Sequence, residues 1–403
     1  MEEYLPQLEW IDTQKQVMLE TVTRWSGINT HTFHLSGLKL LSEDIKKAFS
    51  VFQERVEEVA LPPVESVDIN GRMEQNALAP ALKITKHPLA EKQGLFVIHM
   101  DTVYLPEEDF QEAVLLDDKT LRGPGVTDAK GGIVVLLKAL EALERSRYAG
   151  RIGWNVVINT DEEIGSPGST GLIRELALKS HIGFVFEPCF PDGNLVGSRK
   201  GSGNFSLVAQ GRAAHAGRDY HEGKNAVSAL AKLITSMEKL NDTRQGLTVN
   251  FGVFHGGTGL NVVPSHAITR FNARVLKHED QLYFQNQLKK AVSRISEEEG
   301  VKLTLHGGFS APPKPLDEKT LPLFQQFRSC GLELGLKLDL KESGGVCDGN
   351  RLSAAGLPTV DSLGVLGGDI HSPKEYLHIN SLIERTKLTS LFLLKWAKGE
   401  WEV

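Results

Sequence analysis

LFVIHMD, residues 95–101, is an apolar run that turns polar only at its end, where it delivers His99 and Asp101. A short run of this kind, rich in β-branched and aromatic residues, reads as a strand buried on both faces, as strands of parallel sheets are. Two more runs share the form: WNVVINT (154–160) and IGFVFE (182–187). Between the first two lies Gly132 to Arg145, apolar at Val134, Leu137, Leu140 and the intervening positions, which predicts a buried helix. Strands alternating with helices predict an α/β fold with a mainly parallel sheet flanked by helices. Such sheets carry their chemistry at the carboxyl ends of strands, and that is where this chain places its histidines and acids.

The texture changes after about Gly197. NFSLVAQG and LTVNFGVFHGG read as amphipathic strands with a helix, Asn225 to Leu240, between them. HAITRFNARVL, a helix from Glu279 to Glu299 and VKLTLHGG follow. This strand–helix–strand–strand–helix–strand order predicts a compact, ferredoxin-like α+β insert over residues 199–306, interrupting a unit made of 1–198 and 307–403. The proline-rich APPKPL (311–316) marks the return, and an amphipathic helix is predicted from Ser381 to Trp396.

Composition narrows the function. The 403 residues are 40% hydrophobic and 24% charged, enough for a full core in an ordinary soluble protein. The net charge of −6, with both signs interspersed and no basic stripe, argues against nucleic acid as a partner. The longest apolar run, Ile133 to Leu137, is far too short for a bilayer, so no membrane association is expected. MEEYLPQLEW lacks the basic and apolar regions of a signal peptide. Cys189, Cys330 and Cys347 show no CxxC spacing and read as free thiols in a reducing cytoplasm.

The chemistry lies in His and carboxylate residues at strand ends. His99 and Asp101, two apart on extended backbone, point the same way, and a ligating imidazole usually donates its other N–H to such a partner. Alone, the pair also fits a satisfied core contact. Asp128 sits in the glycine-rich RGPGVTDAKGG just before the helix, where an aspartate is kept ionised and could be either a metal ligand or a plain N-cap. Asp161, Glu162 and Glu163 follow a strand directly, and three adjacent acids repel one another unless a cation neutralises them. Adjacent glutamates can then divide labour, one ligating and one acting as general base. Glu187 ends IGFVFE, and GGDIHSPKEY adds His371 with Glu375 nearby. Two His and at least three carboxylates form the N/O donor set of zinc or a related divalent ion.

The ordered series HMDTV, GPGVTDAKGG, TDEEIGSPGS, FEP and HSPKEY resembles the signatures of the M20 metallopeptidase family. The resemblance covers nearly the whole chain. It implies a catalytic unit holding two zinc ions, with cobalt or manganese as substitutes. Asp128 would bridge them, His99 and Glu187 completing one position and Glu163 and His371 the other. Glu162 would be general base and then proton donor, Asp101 the partner of His99, and a cis peptide would follow Asp128. Ile98 departs from the small residue more common before the His.

The insert would be a lid that also dimerises. GRAAHAGRD resembles the lid motif whose His, here His215, reaches the partner subunit's site and donates to the oxyanion. Asn261 in GGTGLNVVP would be a polar substrate contact and Arg274 in RFNAR the carboxylate-binding arginine, a task suited to its forked guanidinium. ESGGVCDGN stands where relatives carry a GGTDA-like loop, with Cys347 in place of Thr. The function implied is release of a C-terminal amino acid, glutamate among the candidates, from a small peptide or N-acyl amino acid. The alternatives are an N-acyl amino acid deacylase or desuccinylase of the same family, a silent peptide-binding dimer, and a two-metal phosphoesterase that the motif order fits poorly.

Overall fold

In the computed structural model, which describes residues 1–401, the alternation along the first run sorts its side chains to two faces of a sheet. Phe96 and Ile98 join the large core, whereas Leu95 and Val97 join a smaller one opposite. The sheet has six strands, in the order Val56–Val59, Ala81–Lys86, Ile152–Asn159, Lys92–His99, Ile182–Val185 and Thr359–Val360. The last four run parallel; the first two close one edge antiparallel. A mainly parallel α/β fold is therefore what forms.

Helices cover both faces, as a parallel sheet requires. On the Phe96 side lie Gly131–Glu144, Thr320–Glu333 and Asn380–Lys398. The first packs through aliphatic side chains, and the other two add an aromatic layer: Phe96 stacks on Phe184 with centroids 4.5 Å apart, Phe327 stacks on Phe392 at 4.2 Å, and Phe184 meets Phe392 edge-on at 5.8 Å. On the other side Thr170–Ala177 and Asp348–Ala354 supply Ile173, Leu176 and Leu352. Gly132 sets how closely the first helix approaches. A Cβ there would stand 2.2 Å from the Phe186 carbonyl oxygen, so only glycine lets the helix pack against the strand end that carries Glu187.

The segment after Gly197 forms its own four-stranded antiparallel sheet, ordered Thr248–Gly256, His266–Val275, Gly201–Gln210 and Lys302–Ala311. Helices Ala226–Glu238 and His278–Glu299 pack on it through Leu230, Leu233, Phe284, Phe205 and Phe271. Its last strand continues past residue 306 to Ala311, because Ser202 pairs with Ala311 at the end of the ladder. The two chain crossings into this segment lie side by side. Arg199 and Lys314 exchange backbone hydrogen bonds of 2.9 and 3.0 Å, and the Asn350 amide donates to the carbonyls of Lys200 and Pro312 at 3.0 and 2.8 Å.

No helix among the described residues is long and apolar enough to cross a membrane. Phe184 is fully buried at the centre of the aromatic layer. Phe184→Ala is expected to cost about 3–5 kcal/mol of stability, read as a lower urea midpoint with an unchanged slope.

Candidate metal centre

Because Ile152–Asn159, Lys92–His99 and Ile182–Val185 are parallel and in register, with His99 opposite Asn159 and Val97 opposite Val185, their carboxyl ends meet at one edge. His99 closes its strand fully buried. Its Nδ1 lies 2.9 Å from the main-chain oxygen of Asp101 and 3.4 Å from that residue's carboxylate. The carbonyl thus holds the ring at Nδ1 and leaves Nε2 facing the cluster. The Asp101 carboxylate serves mainly elsewhere. It accepts from the Thr32 hydroxyl at 2.7 Å and from the backbone N–H of Glu162 and Glu163 at 3.2 Å each.

Asp128 stands between two imidazoles. His99 Nε2 is 3.1 Å from its Oδ1, and His371 Nε2 is 3.3 Å from its Oδ2. Glu187 approaches His99 Nε2 to 3.7 Å, and Glu163 approaches His371 Nε2 to 3.3 Å. One donor atom each from His99, Asp128 and Glu163 fits within 4.8 Å, and so does one each from His99, Glu162 and Glu187. Asp128 is not the N-cap that its position before the helix could suggest. Its φ of −117° and ψ of 90° are not helical, the peptide to Ala129 is cis, and the helix starts at Gly131. Its backbone N–H donates to Glu375 instead, at 2.9 Å.

The three consecutive acids part company. Asp161 turns away and accepts from the Gly168 and Ser169 N–H groups and the Ser169 hydroxyl, at 2.6, 3.1 and 2.6 Å. Glu162 and Glu163 turn into the cluster. Behind them Asp348 accepts from Asn159 and Ser166, and the buried Arg199 grips Asp361 through two bonds of 2.6 and 2.9 Å. Cys347, in the loop that departs from the family pattern, is buried with its thiol 3.4 Å from Asp361.

Electrostatics set the chemistry. Burial, then the charge of Glu187, hold the Glu162 carboxyl well above its ordinary range. Burial raises Glu187 to about 8 and Glu163 to about 7, the Asp128 charge adding to both against the pull of His99 and His371. Burial works against the His99 cation, but the charge of Glu187 and the bonds to Asp101 and Asp128 win and raise it. Bonds to Asp128 and Glu163 raise His371 to about 10. Asp128 alone is lowered, because the two imidazoles outweigh its burial. Imidazole nitrogens and crowded carboxylates with too little positive charge are a donor set that a divalent cation fits.

The other expected residues lie on the inserted segment, without contact to this cluster. His215 is exposed; its Nδ1 accepts from Gly217, and its backbone bridges Val262. Asn261, also exposed, accepts from Ala216 through its carbonyl at 2.9 Å. Arg274 is half-buried on its strand and donates to Asn272 and to the Gly344 carbonyl, at the loop that carries Cys347. Thr32 and Tyr104 border the cluster with no local sequence signal. Glu375 had one, its place in the same turn as His371.

Residues 95–395 match peptidase family M20/M25/M40, and the chain belongs to that family. It is thus a hydrolase of peptide or amide bonds from a metallopeptidase family. It is 28% identical over 320 residues to carboxypeptidase G2 of Pseudomonas sp. (strain RS-16), covering 77% of this chain and 75% of that protein. Two solved structures share the fold: a tripeptidase of Staphylococcus aureus (TM-score 0.75, 23% identity, covering 96% and 99% of the two chains) and an M20 metallo-carboxypeptidase of Sulfolobus solfataricus (0.73, 16%, 94% and 99%).

A pH effect follows for the metal-free protein. Groups whose pKa is raised on folding give stability that is complete below their ordinary pKa and is lost as pH climbs through the raised one. For Glu163 and Glu187 that window runs from 4.5 to about 8, and His371 adds the same sign from 6.5 to about 10. Chelated protein should therefore show a melting temperature that falls across this range. Added Zn2+ or Co2+ should flatten the slope, as scanning calorimetry would record.

Proposed function

We propose that this chain is a two-metal exopeptidase that releases a C-terminal amino acid from a small peptide or an N-acyl amino acid. The observation that carries the reading is Asp128 flanked by imidazoles 3.1 and 3.3 Å from its two oxygens, each imidazole paired with a further glutamate. His99, Asp128 and Glu187 would hold one ion, and Asp128, Glu163 and His371 the other, zinc being the expected metal and cobalt or manganese its substitutes. When bound, such ions polarise a carbonyl and make water more acidic.

The remaining work falls to the chain. Glu162 is half-buried beside Glu187, and its raised pKa suits a carboxylate that takes the proton of the attacking water, keeps it, and returns it to the leaving amine. Asp101, tied to His99 and to the N–H groups of Glu162 and Glu163, positions both. Arg274 supplies a fork for the substrate's free carboxylate. His215 acts on a second copy's site, and Asn261 is a polar contact for substrate. Their exposed loops make no contact with the chain's own cluster, and neighbouring Tyr220, Phe254 and Leu260 leave apolar surface for a partner. Similarity to a carboxypeptidase favours C-terminal release, with glutamate first in the panel to be tried. Three buried free thiols suit the cytoplasm.

The test pairs metal analysis with hydrolysis of acyl-glutamate, acyl-aspartate, acyl-ornithine and dipeptide substrates, before and after chelation. About two ions per chain and chelator-sensitive release of one amino acid are expected; a chain that binds no ion refutes the reading. Glu162→Gln should keep its metal and lose about 10²–10⁴-fold in kcat. An active variant would remove Glu162 from its role. His215→Ala should keep metal and lose activity, and mixing it with Glu162→Ala chains should restore part of the rate. Absence of any restoration would argue that His215 does not act across subunits.

A further inference from the structure

Glu375 is fully buried next to a cluster already crowded with carboxylates, and no cation among the described residues forms a salt bridge with it. The Lys130 ammonium, which feels the Glu375 charge, donates to the Ile28 carbonyl instead. What holds the Glu375 carboxylate is backbone. Its Oε1 accepts from the N–H groups of Thr127 and Asp128 at 2.8 and 2.9 Å, and its Oε2 from the Gly125 N–H at 3.0 Å and the Tyr104 hydroxyl at 2.7 Å. These N–H groups need an outside partner. The turn they belong to is not helical, with Gly125 at a φ of +71° and Asp128 and Ala129 outside helical geometry, so it cannot satisfy them itself.

The other end of the link is the turn of His371. Asp369 and His371 both have positive φ, 52° and 60°, a conformation that non-glycine residues adopt only when their surroundings enforce it. That turn is tied down by the Ser372 hydroxyl on the Asp369 carbonyl, and by the Glu375 N–H and the Tyr104 hydroxyl on the Ser372 carbonyl, at 2.7, 3.1 and 3.0 Å. One residue therefore joins the backbone that presents Asp128 to the backbone that presents His371. The other position shares Asp128, but its remaining support does not involve Glu375: His99 is held by Asp101, and Asp101 by Thr32 and the N–H groups of Glu162 and Glu163.

We infer that Glu375 is a positioning residue that locks Asp128 and His371 into one frame, so that the metal position of Asp128, Glu163 and His371, two of whose ligands it holds, depends on it more than the position of His99, Asp128 and Glu187, where it holds only the shared Asp128. The inference rests on the ligand set proposed above. The substitution Glu375→Gln keeps the shape of the side chain, but it turns an N–H₂ toward the Gly125 N–H and removes the negative charge that attracts a cation.

The test titrates metal-free wild type and Glu375→Gln with Co2+ and with Zn2+, following calorimetric stoichiometry and cobalt absorption, and records the melting temperature of each metal-free protein. In the variant the first ion should bind close to wild type. The second should bind about 10–100-fold more weakly. Both ions bound as in wild type, or both weakened alike, would overturn the inference. A wild type that binds no ion would instead refute the ligand set itself. Should the variant fail to fold, Tyr104→Phe removes the hydroxyl shared by Glu375 and Ser372 and leaves the ring in place. It is expected to weaken the second ion alone, and unchanged two-ion binding there would equally overturn the inference.

Discussion

Repulsion among carboxylates is the constraint around which this molecule is arranged. Asp128, Glu162, Glu163 and Glu187 converge with two imidazoles on one sheet edge, where water is too sparse to screen them. At the separations observed, like charges in a protein interior cost several kcal/mol unless they are neutralised. In the chain alone, proton uptake does the neutralising. With divalent cations present, the same repulsion becomes affinity, which makes the cluster costly to keep unless it binds something.

Holding such a cluster requires donors, and the fold draws them from its backbone. Glu375, Asp101 and Asp161 each collect main-chain N–H groups from a neighbouring loop, which lets buried charge persist without a salt bridge for every acid. Asp361 and Asp348 are exceptions, paired with Arg199 and Arg351, and the opposite charges of Arg199 and Asp361 act on Glu187 in opposite senses. The parallel sheet brings these loops together because every parallel strand ends on the same side.

Much of this was legible in the chain. Runs such as LFVIHM and IGFVFE announce doubly buried strands, and the strand–helix order after Gly197 matches the antiparallel segment that forms, though its last strand runs on to Ala311. The edge strand Val56–Val59 was not legible, since VEEV is half-exposed and carries neither a clear alternation nor an apolar run. Within the cluster, residue type marked the histidines and acids. It could not say that Asp161 faces away while Glu162 and Glu163 face in, because three consecutive acids look alike until the turn after the strand is set. Nor could HxD spacing reveal that the main-chain oxygen of Asp101, more than its carboxylate, steadies His99. Those choices belong to backbone hydrogen bonding, which leaves no compositional trace.

The side-by-side crossings at Arg199 and Lys314 carry a consequence of a different kind. Two points far apart in the chain are already joined there by reciprocal backbone bonds, so everything between them hangs from the main body like a pendant from a clasp. A tight turn in place of the pendant would reconnect the strands of the body without moving them, since the ends to be rejoined are neighbours already. The pendant's gain or loss in an ancestral chain is thus a change of topology with almost no change of geometry. An architecture of this kind can gain or lose an inserted segment while the centre in the main body stays as it was.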